Sequence, residues 1–427
     1  MSATEFTSWS SYMLDIYARR KGPALGTLYI NELEERAREK LKDQPGAFMY
    51  VAGSAGNGTA DAANRAELEK WKIIPRMLRD ATKRDLNTTL FGVQYRSPII
   101  VSPVGVQGIV HPDAEIATTK AAAKLGIPYC MSTAATRTIE AVAEANGDGH
   151  RWYQLYWPVS EDITESLLKR AKASGYTALI ITLDTMLLGW RPHDLATAYL
   201  PFMHSVGSQI GLSDPVFMAR FGKKPITEYP EYPYSPEKFE KLYAEGDEKA
   251  TELIFLASQW IKEVNSGTFK SWENLEHIRK HWDGPIILKG ILSVEDAELA
   301  LEHKLDGIVV SNHGGRQVEG SIPAIWALDK ICASPKIQEA QASGKLTVLF
   351  DSGIRTGSDV IKAMALGAQG VLLARPFMYG LTVGGQEGVE EVLRITLADL
   401  EITLGLSGYK NIQEIQGKRD KVVVKIS

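Results

Sequence analysis

The stretch SNHGGRQ, residues 311–317, sets an imidazole (His313) and a guanidinium (Arg316) around two glycines. It follows directly on the apolar run DGIVV. A histidine is the side chain best suited to moving a proton near neutral pH. A planar guanidinium is suited to holding a carboxylate or phosphate. Other chemistry-bearing residues also sit where apolar runs stop: Ser102, Pro103, Val104 and Gly105; Ser132; Gln154 and Tyr156; Thr182 and Asp184, then Arg191; Lys289; Asp351, Gly353 and Arg355; Ala374 and Arg375. A purely structural assembly would not need polar groups there, because buried polar groups cost free energy unless they are satisfied. DSGIRTG and ARP place small residues and arginines together, a setting for a phosphate on backbone N–H groups. Gln154, Thr182 and Ser132 are suited to a polar heterocycle, and Lys289 to a developing negative charge.

Such residues need a scaffold that brings many strand ends to one place. Eight short runs, at 97–103, 127–133, 151–156, 178–184, 284–290, 306–312, 346–353 and 370–376, are nearly continuous in apolar residues. That pattern marks strands covered on both faces, as in a parallel sheet with helices outside. Amphipathic stretches lie between them, several ending in glycine, a helix-stop signal. The count is that of a (β/α)8 TIM barrel, whose sites lie at the C-terminal ends of the strands. An open doubly wound sheet is the alternative, but no G-x-G-x-x-G follows the first run. GSAGNG has no strand before it and is read as a loop. Residues 1–96 form an N-terminal extension with a helix over YINELEERAREKL and then a loop, MYVAGSAGNG. About 190–283 is an insertion after strand four, and EYPEYPYSP within it is expected to be a lid or a disordered loop.

At 427 residues, 44% apolar and with net charge −4, the chain has globular composition and no basic block, so neither nucleic acid nor a membrane surface is an expected partner. No apolar run is long enough for a membrane span, and the first residues lack a leader-like apolar core. VVVKIS is not a clear peroxisomal signal. Cys130 and Cys332 match no metal-ligand spacing and are expected to be reduced and buried, in keeping with a cytoplasmic setting. His277 and His281 have i, i+4 spacing, but the adjacent Arg279 and Lys280 suggest a solvated helix face, so no metal is expected.

In order along the chain, YQLY, ILKG, SNHGGRQ, DSGIR and RP resemble the FMN-dependent 2-hydroxy-acid oxidase and dehydrogenase family. The resemblance runs from about Tyr50 to Gly408. Within the family, LDTMLLGWRPHDLATAYLPF, SDPVFMARF and PVGV look most like lactate 2-monooxygenase. The resemblance implies a single FMN-binding barrel domain over 1–427, assembled as a homotetramer or homo-octamer. It implies oxidation of a short L-2-hydroxy acid, with O2 as the second substrate. The monooxygenase products would be acetate, CO2 and water. An oxidase releasing keto acid and peroxide is the alternative, and a non-redox phosphate-binding barrel is a reading of another class. By resemblance, His313 takes the substrate proton and Asp184 pairs with the imidazolium. Arg191 and Arg316 hold the carboxylate, while Tyr50 and Tyr156 donate hydroxyls to substrate. Lys289 faces the N1/O2 edge of the flavin. Pro103, Val104, Gly105, Ser132, Gln154, Thr182 and Ser311 lie against the flavin or its chain. Asp351, Gly353, Arg355, Ala374 and Arg375 serve the phosphate end. There are departures. Some relatives have Trp where this chain has Ala134, many have Gly at Ala374, and an acidic residue usual near Asn57 and Gly58 is missing.

Overall fold

The computed structural model describes residues 8–426. The reading of the chain's beginning falls partly on 1–7, and that of VVVKIS partly on 427, outside the described residues. Eight parallel strands close into a barrel: β1 Ile99–Val101, β2 Tyr129–Ser132, β3 Arg151–Leu155, β4 Leu179–Thr182, β5 Ile286–Ile291, β6 Gly307–Val310, β7 Thr347–Phe350 and β8 Gly370–Leu373. Each pairs with the next in sequence, and β8 closes on β1. All eight apolar runs read as strands are barrel strands, and the fold is a (β/α)8 barrel.

The strands place the site through their two-residue period. Ile100, Cys130, Trp152, Ile180, Ile287, Val309, Leu349 and Leu372, one from each strand, form a buried apolar cluster inside the barrel. Leu90 and Tyr95, from the hairpin Thr88–Leu90 and Val93–Tyr95, join that cluster. Two residues further along the same strands come Ser102, Ser132, Gln154, Thr182, Lys289, Ser311, Asp351 and Ala374. The next layer of the barrel is therefore polar in seven of its eight positions, and all are buried except the half-buried Ala374. The register fixes neighbours in this layer: Ser132 stands beside Gln154, and Thr182 beside Lys289. The alternate, outward residues, such as Ile99, Val101 and Tyr129, join the larger core under the helices.

Helices stop and start by local chemistry. Thr356 and Asp359 form a reciprocal capping box at helix Gly357–Ala365. Helix Arg375–Leu406 begins at the end of β8 and is kinked at Gly384 and Gly385. No helix among the described residues is long and apolar enough to cross a membrane. Both cysteines are buried and free.

One expectation is corrected. The loop placed at MYVAGSAGNG begins as a helix, Pro45–Ala52, with Pro45 at its first position and Ala47, Phe48 and Tyr50 buried. The 190–283 insertion is largely helical and seated on the barrel. Its longest helix, Glu248–Val264, is capped by Asp247 and buries Trp260. EYPEYPYSP is docked: Tyr234 is buried and bonded to His204 Nδ1 at 2.6 Å, and the Tyr232 hydroxyl donates to the Val110 carbonyl. Aromatic rings anchor this backbone, which sequence composition alone presented as loop.

Candidate active site

A cavity of about 190 Å³ opens at the C-terminal ends of the strands. His313, which lines it, is paired with Asp184, with His313 Nδ1 2.9 Å from Asp184 Oδ1. The Thr185 hydroxyl also donates to that oxygen at 2.9 Å. An ionised carboxylate only accepts, so Nδ1 carries the proton and Nε2 keeps its lone pair. Burial pushes the His313 imidazole below its ordinary pKa, although Asp184 pulls the other way. Burial alone would raise the Asp184 carboxyl. The charges of His313 and Lys289 and the two hydrogen bonds outweigh it and hold the group well below the usual carboxylate range.

The glycines explain why this loop can exist. His313 has φ +58, and the two following residues are also left-handed. A Cβ on Gly315 would lie 2.4 Å from the backbone nitrogen of Asp61, so only glycine lets helix Thr59–Lys70 approach. Across that contact, Asn64 and Asn312 exchange side-chain hydrogen bonds, each 2.8 Å long.

Several guanidiniums face the same cavity, with Arg191 and Arg375 buried and Arg316 and Arg355 half-buried. Arg316 donates to the Gly53 carbonyl at 2.7 Å and lies 5.6 Å from the Tyr50 ring centroid. Burial, with Arg191 and Arg375 nearby, pushes Arg316 down to about 9. Arg191 donates to the Arg316 carbonyl and to Gln317 Oε1, at 3.1 and 2.9 Å. Burial and then Arg375 push Arg355 down as well. Among the described residues, no carboxylate lies within ion-pair distance of Arg191, Arg316 or Arg355, so the cavity wall is electrostatically short of anions. Arg375 differs: it is held by Asp61 at 2.8 Å and by the Gly53 and Gly314 carbonyls.

Lys289 is buried, donates to Ser311 at 3.0 Å and lies 3.4 Å from Asp351. Burial would lower its pKa, but Asp351 and Asp184 raise it, so it remains a cation. Burial raises the Tyr50 hydroxyl, and Tyr156 is pushed up to about 12, so both remain protonated donors. Gln154 Oε1 accepts from Ser132 and from the Thr133 backbone, each at 3.1 Å. Its Nε2 is buried with no hydrogen-bond partner among the described residues, an arrangement that suits a ligand's acceptor.

Tyr50, Tyr156, Arg191, Lys289, His313 and Arg316 all line the cavity. So do Pro103, Val104, Gly105, Asp351, Gly353, Arg355, Ala374 and Arg375. Ser132, Gln154, Thr182, Asp184 and Ser311 stand in the layer just behind. The sequence reading missed Thr185, Gln317, Asp61 and Asn64, and it missed the apolar wall of Leu200, Phe202, Trp260, Ile261 and Val264 supplied by the insertion. Adjacency to Asp184 was the one available signal, for Thr185. The acid missing near Asn57 is replaced from elsewhere: Glu319 accepts from the Asn57 and Thr59 backbone and from the Thr59 hydroxyl.

The donor set suits a ligand with a flat hydrogen-bonding ring and a phosphate, bound beside a small anion. A model of the FMN-dependent dehydrogenase family matches residues 37–422. An FMN-dependent alpha-hydroxy acid dehydrogenase of Penicillium citrinum is 45% identical over 382 residues, 90% of this chain and 87% of that protein. An L-lactate oxidase of Lysinibacillus sphaericus is 36% identical over 385 residues, 90% of each. A crystal structure of mandelate oxidase superposes with a TM-score of 0.74 at 32% identity, covering 94% of this chain and 99% of that one. With this barrel and this strand-end layer, the chain belongs to the FMN-dependent dehydrogenase family of 2-hydroxy-acid-oxidising flavoproteins.

Proposed function

We infer that the protein oxidises an L-2-hydroxy acid with an apolar side chain to the 2-keto acid, with His313 as the base. The observation that carries this is the half-buried His313–Asp184 pair at 2.9 Å, in a cavity also lined by Arg191 and Arg316. When bound, FMN supplies the two-electron acceptor that no side chain provides. Its phosphate fits Arg355 and the Gly353 turn, and its ring fits the unpartnered Gln154 amide, with Lys289 at its anionic edge. Arg375, already tied to Asp61, shapes that end through Gly53 and Gly314.

The substrate carboxylate satisfies Arg191 and Arg316, which hold no carboxylate of the protein's own. Arg316 is locked by the Gly53 carbonyl, so the acid is oriented on a fixed fork. Tyr50 and Tyr156 donate hydrogen bonds and do not ionise. His313 Nε2, neutral in the free enzyme, accepts a proton from the substrate carbon or hydroxyl. Asp184 stabilises the imidazolium that results. The substrate side chain is directed to the apolar wall made by Ala134, Phe202, Trp260 and Val264. Lactate is small for that wall, and aryl or branched acids suit it better.

The finer product assignment turns on whether the keto acid leaves before oxygen reacts. Gly105 lies in PVGV, one of the stretches that resemble lactate 2-monooxygenase. In the fold it has a packing reason as well. A Cβ there would lie 2.6 Å from Ala134 Cβ and 2.7 Å from the Ala134 carbonyl oxygen, which accepts from Val106 N at 2.9 Å. Glycine is therefore required here whatever the product, and we favour release of the keto acid. Anaerobic mixing with L-lactate and L-mandelate, followed by aerobic counting of keto acid, peroxide and decarboxylated acid, tests this reading. Bleaching of the flavin with one keto acid released per turnover supports it. Stoichiometric decarboxylated acid and CO2 would restore the monooxygenase assignment, and an unbleached flavin would refute 2-hydroxy-acid oxidation.

A further inference from the structure

His277 and His281 play no part in this reaction. They lie four residues apart on helix Leu275–His281, so both rings leave the same face. Facing them is Glu165 on helix Glu161–Ala173. Glu165 Oε1 is 3.8 Å from His277 Nε2 and 3.4 Å from His281 Nε2. Glu161 Oε2 lies 4.0 Å from His277 Nδ1. The two imidazole nitrogens and the Glu165 oxygen all lie within 4.8 Å of one another.

Three features distinguish this group from an ordinary solvated helix face. His281 Nδ1 is 2.9 Å from the His277 carbonyl. A carbonyl only accepts, so Nδ1 donates there, and Nε2 is the nitrogen that faces Glu165. Metal-bound histidines are oriented in this way by an outer hydrogen bond. His277 Nε2, in turn, is buried and has no hydrogen-bond partner among the described residues. Finally, the neighbouring cations that argued against a metal are engaged elsewhere. Arg279 pairs with Asp306 at 3.3 Å and donates to the Lys304 carbonyl, while Lys280 pairs with Glu276 at 3.1 Å. Lys270, whose charge reaches Glu161, lies over the Trp157 ring at 5.4 Å.

We propose that Glu165, His277 and His281 form a zinc site that ties helix Glu161–Ala173 to helix Leu275–His281. Two imidazoles and one carboxylate are a zinc donor set, with a fourth position for water or Glu161. Nitrogen donors disfavour calcium and magnesium, which take oxygen. Metal–ligand bonds of about 2.0–2.1 Å place tetrahedral donors about 3.3 Å apart. The 3.4 and 3.8 Å separations are close to that, and the exposed Glu165 side chain can close the remainder. The second helix lies just where the long insertion returns to the barrel before β5, so zinc would pin that return. Binding to the folded state alone raises stability by mass action.

The test uses the full-length, FMN-loaded protein, stripped with a chelator and titrated calorimetrically with zinc sulfate in a non-coordinating buffer. Wild type should bind one zinc per chain with a raised unfolding midpoint. His277→Ala, His281→Ala and Glu165→Gln should each weaken binding at least about 10–100-fold, the loss typical of a disturbed metal site. All three should keep their yellow colour and flavin reduction, which separates loss of the site from loss of the fold. Unaltered zinc affinity in these variants would place binding at other histidines and overturn the proposal, as would wild type that binds no zinc.

Discussion

In the proposed reaction two charged contacts at residue scale carry the chemistry, and each can be removed by one substitution. Asp184 raises the pKa of His313 while burial lowers it. In Asp184→Asn the raising influence goes, so His313 protonates only at lower pH. The acidic limb of the kcat/KM profile should therefore move to lower pH, as the plateau falls about 10²–10³-fold through loss of imidazolium stabilisation. An unmoved limb would mean that His313 is not the titrating base. Arg316→Lys retains the charge but not the fork, and it should cost about 2–5 kcal/mol in kcat/KM with FMN still bound. Parallel measurement of flavin content and of kcat/KM distinguishes that from a general loss of folding. Unchanged kcat/KM would remove Arg316 from the role of carboxylate anchor.

At the scale of elements, the two-residue period of the strands does most of the positioning. It made the polar layer legible from sequence, because Ser132, Gln154, Thr182, Lys289, Ser311 and Asp351 each follow an apolar barrel residue by two. What escaped was held by long-range partners with no local spacing. Asn64 meets Asn312 across 248 residues, and Glu319 reaches back to Thr59. The docking of the insertion escaped for a related reason: its prolines and aromatics do read as loop, but nothing local shows which surface their rings bury against. Trp260 packs so closely that a Cβ on Gly211 would lie 2.2 Å from its ring. Trp260→Ala should destabilise the protein by about 3–5 kcal/mol, the cost of emptying a large buried site, as read by denaturant unfolding. Ala134→Trp should fill the same apolar wall. It is expected to lower kcat/KM for mandelate at least about tenfold more than for lactate, a difference of ~1.4 kcal/mol. Equal losses for both acids would show that the substrate side chain does not point there.

On the scale of the whole molecule, the barrel gathers eight strand ends around one cavity and places Arg191, Arg316 and Arg355 there without carboxylate partners among the described residues. Such a cavity is incomplete until anions enter, which ties cofactor retention, substrate affinity and chemistry together. The central claim is that this assembly removes a proton from a 2-hydroxy acid through His313 and delivers its electrons to FMN. Anaerobic stopped-flow reduction of the flavin by L-lactate or L-mandelate measures that step directly, in wild type and in His313→Ala loaded with FMN to the same extent. The account predicts rapid bleaching in wild type and a rate at least about 10²–10⁴-fold slower in the variant, the usual contribution of a general base. Reduction of the His313→Ala flavin at the wild-type rate would contradict it.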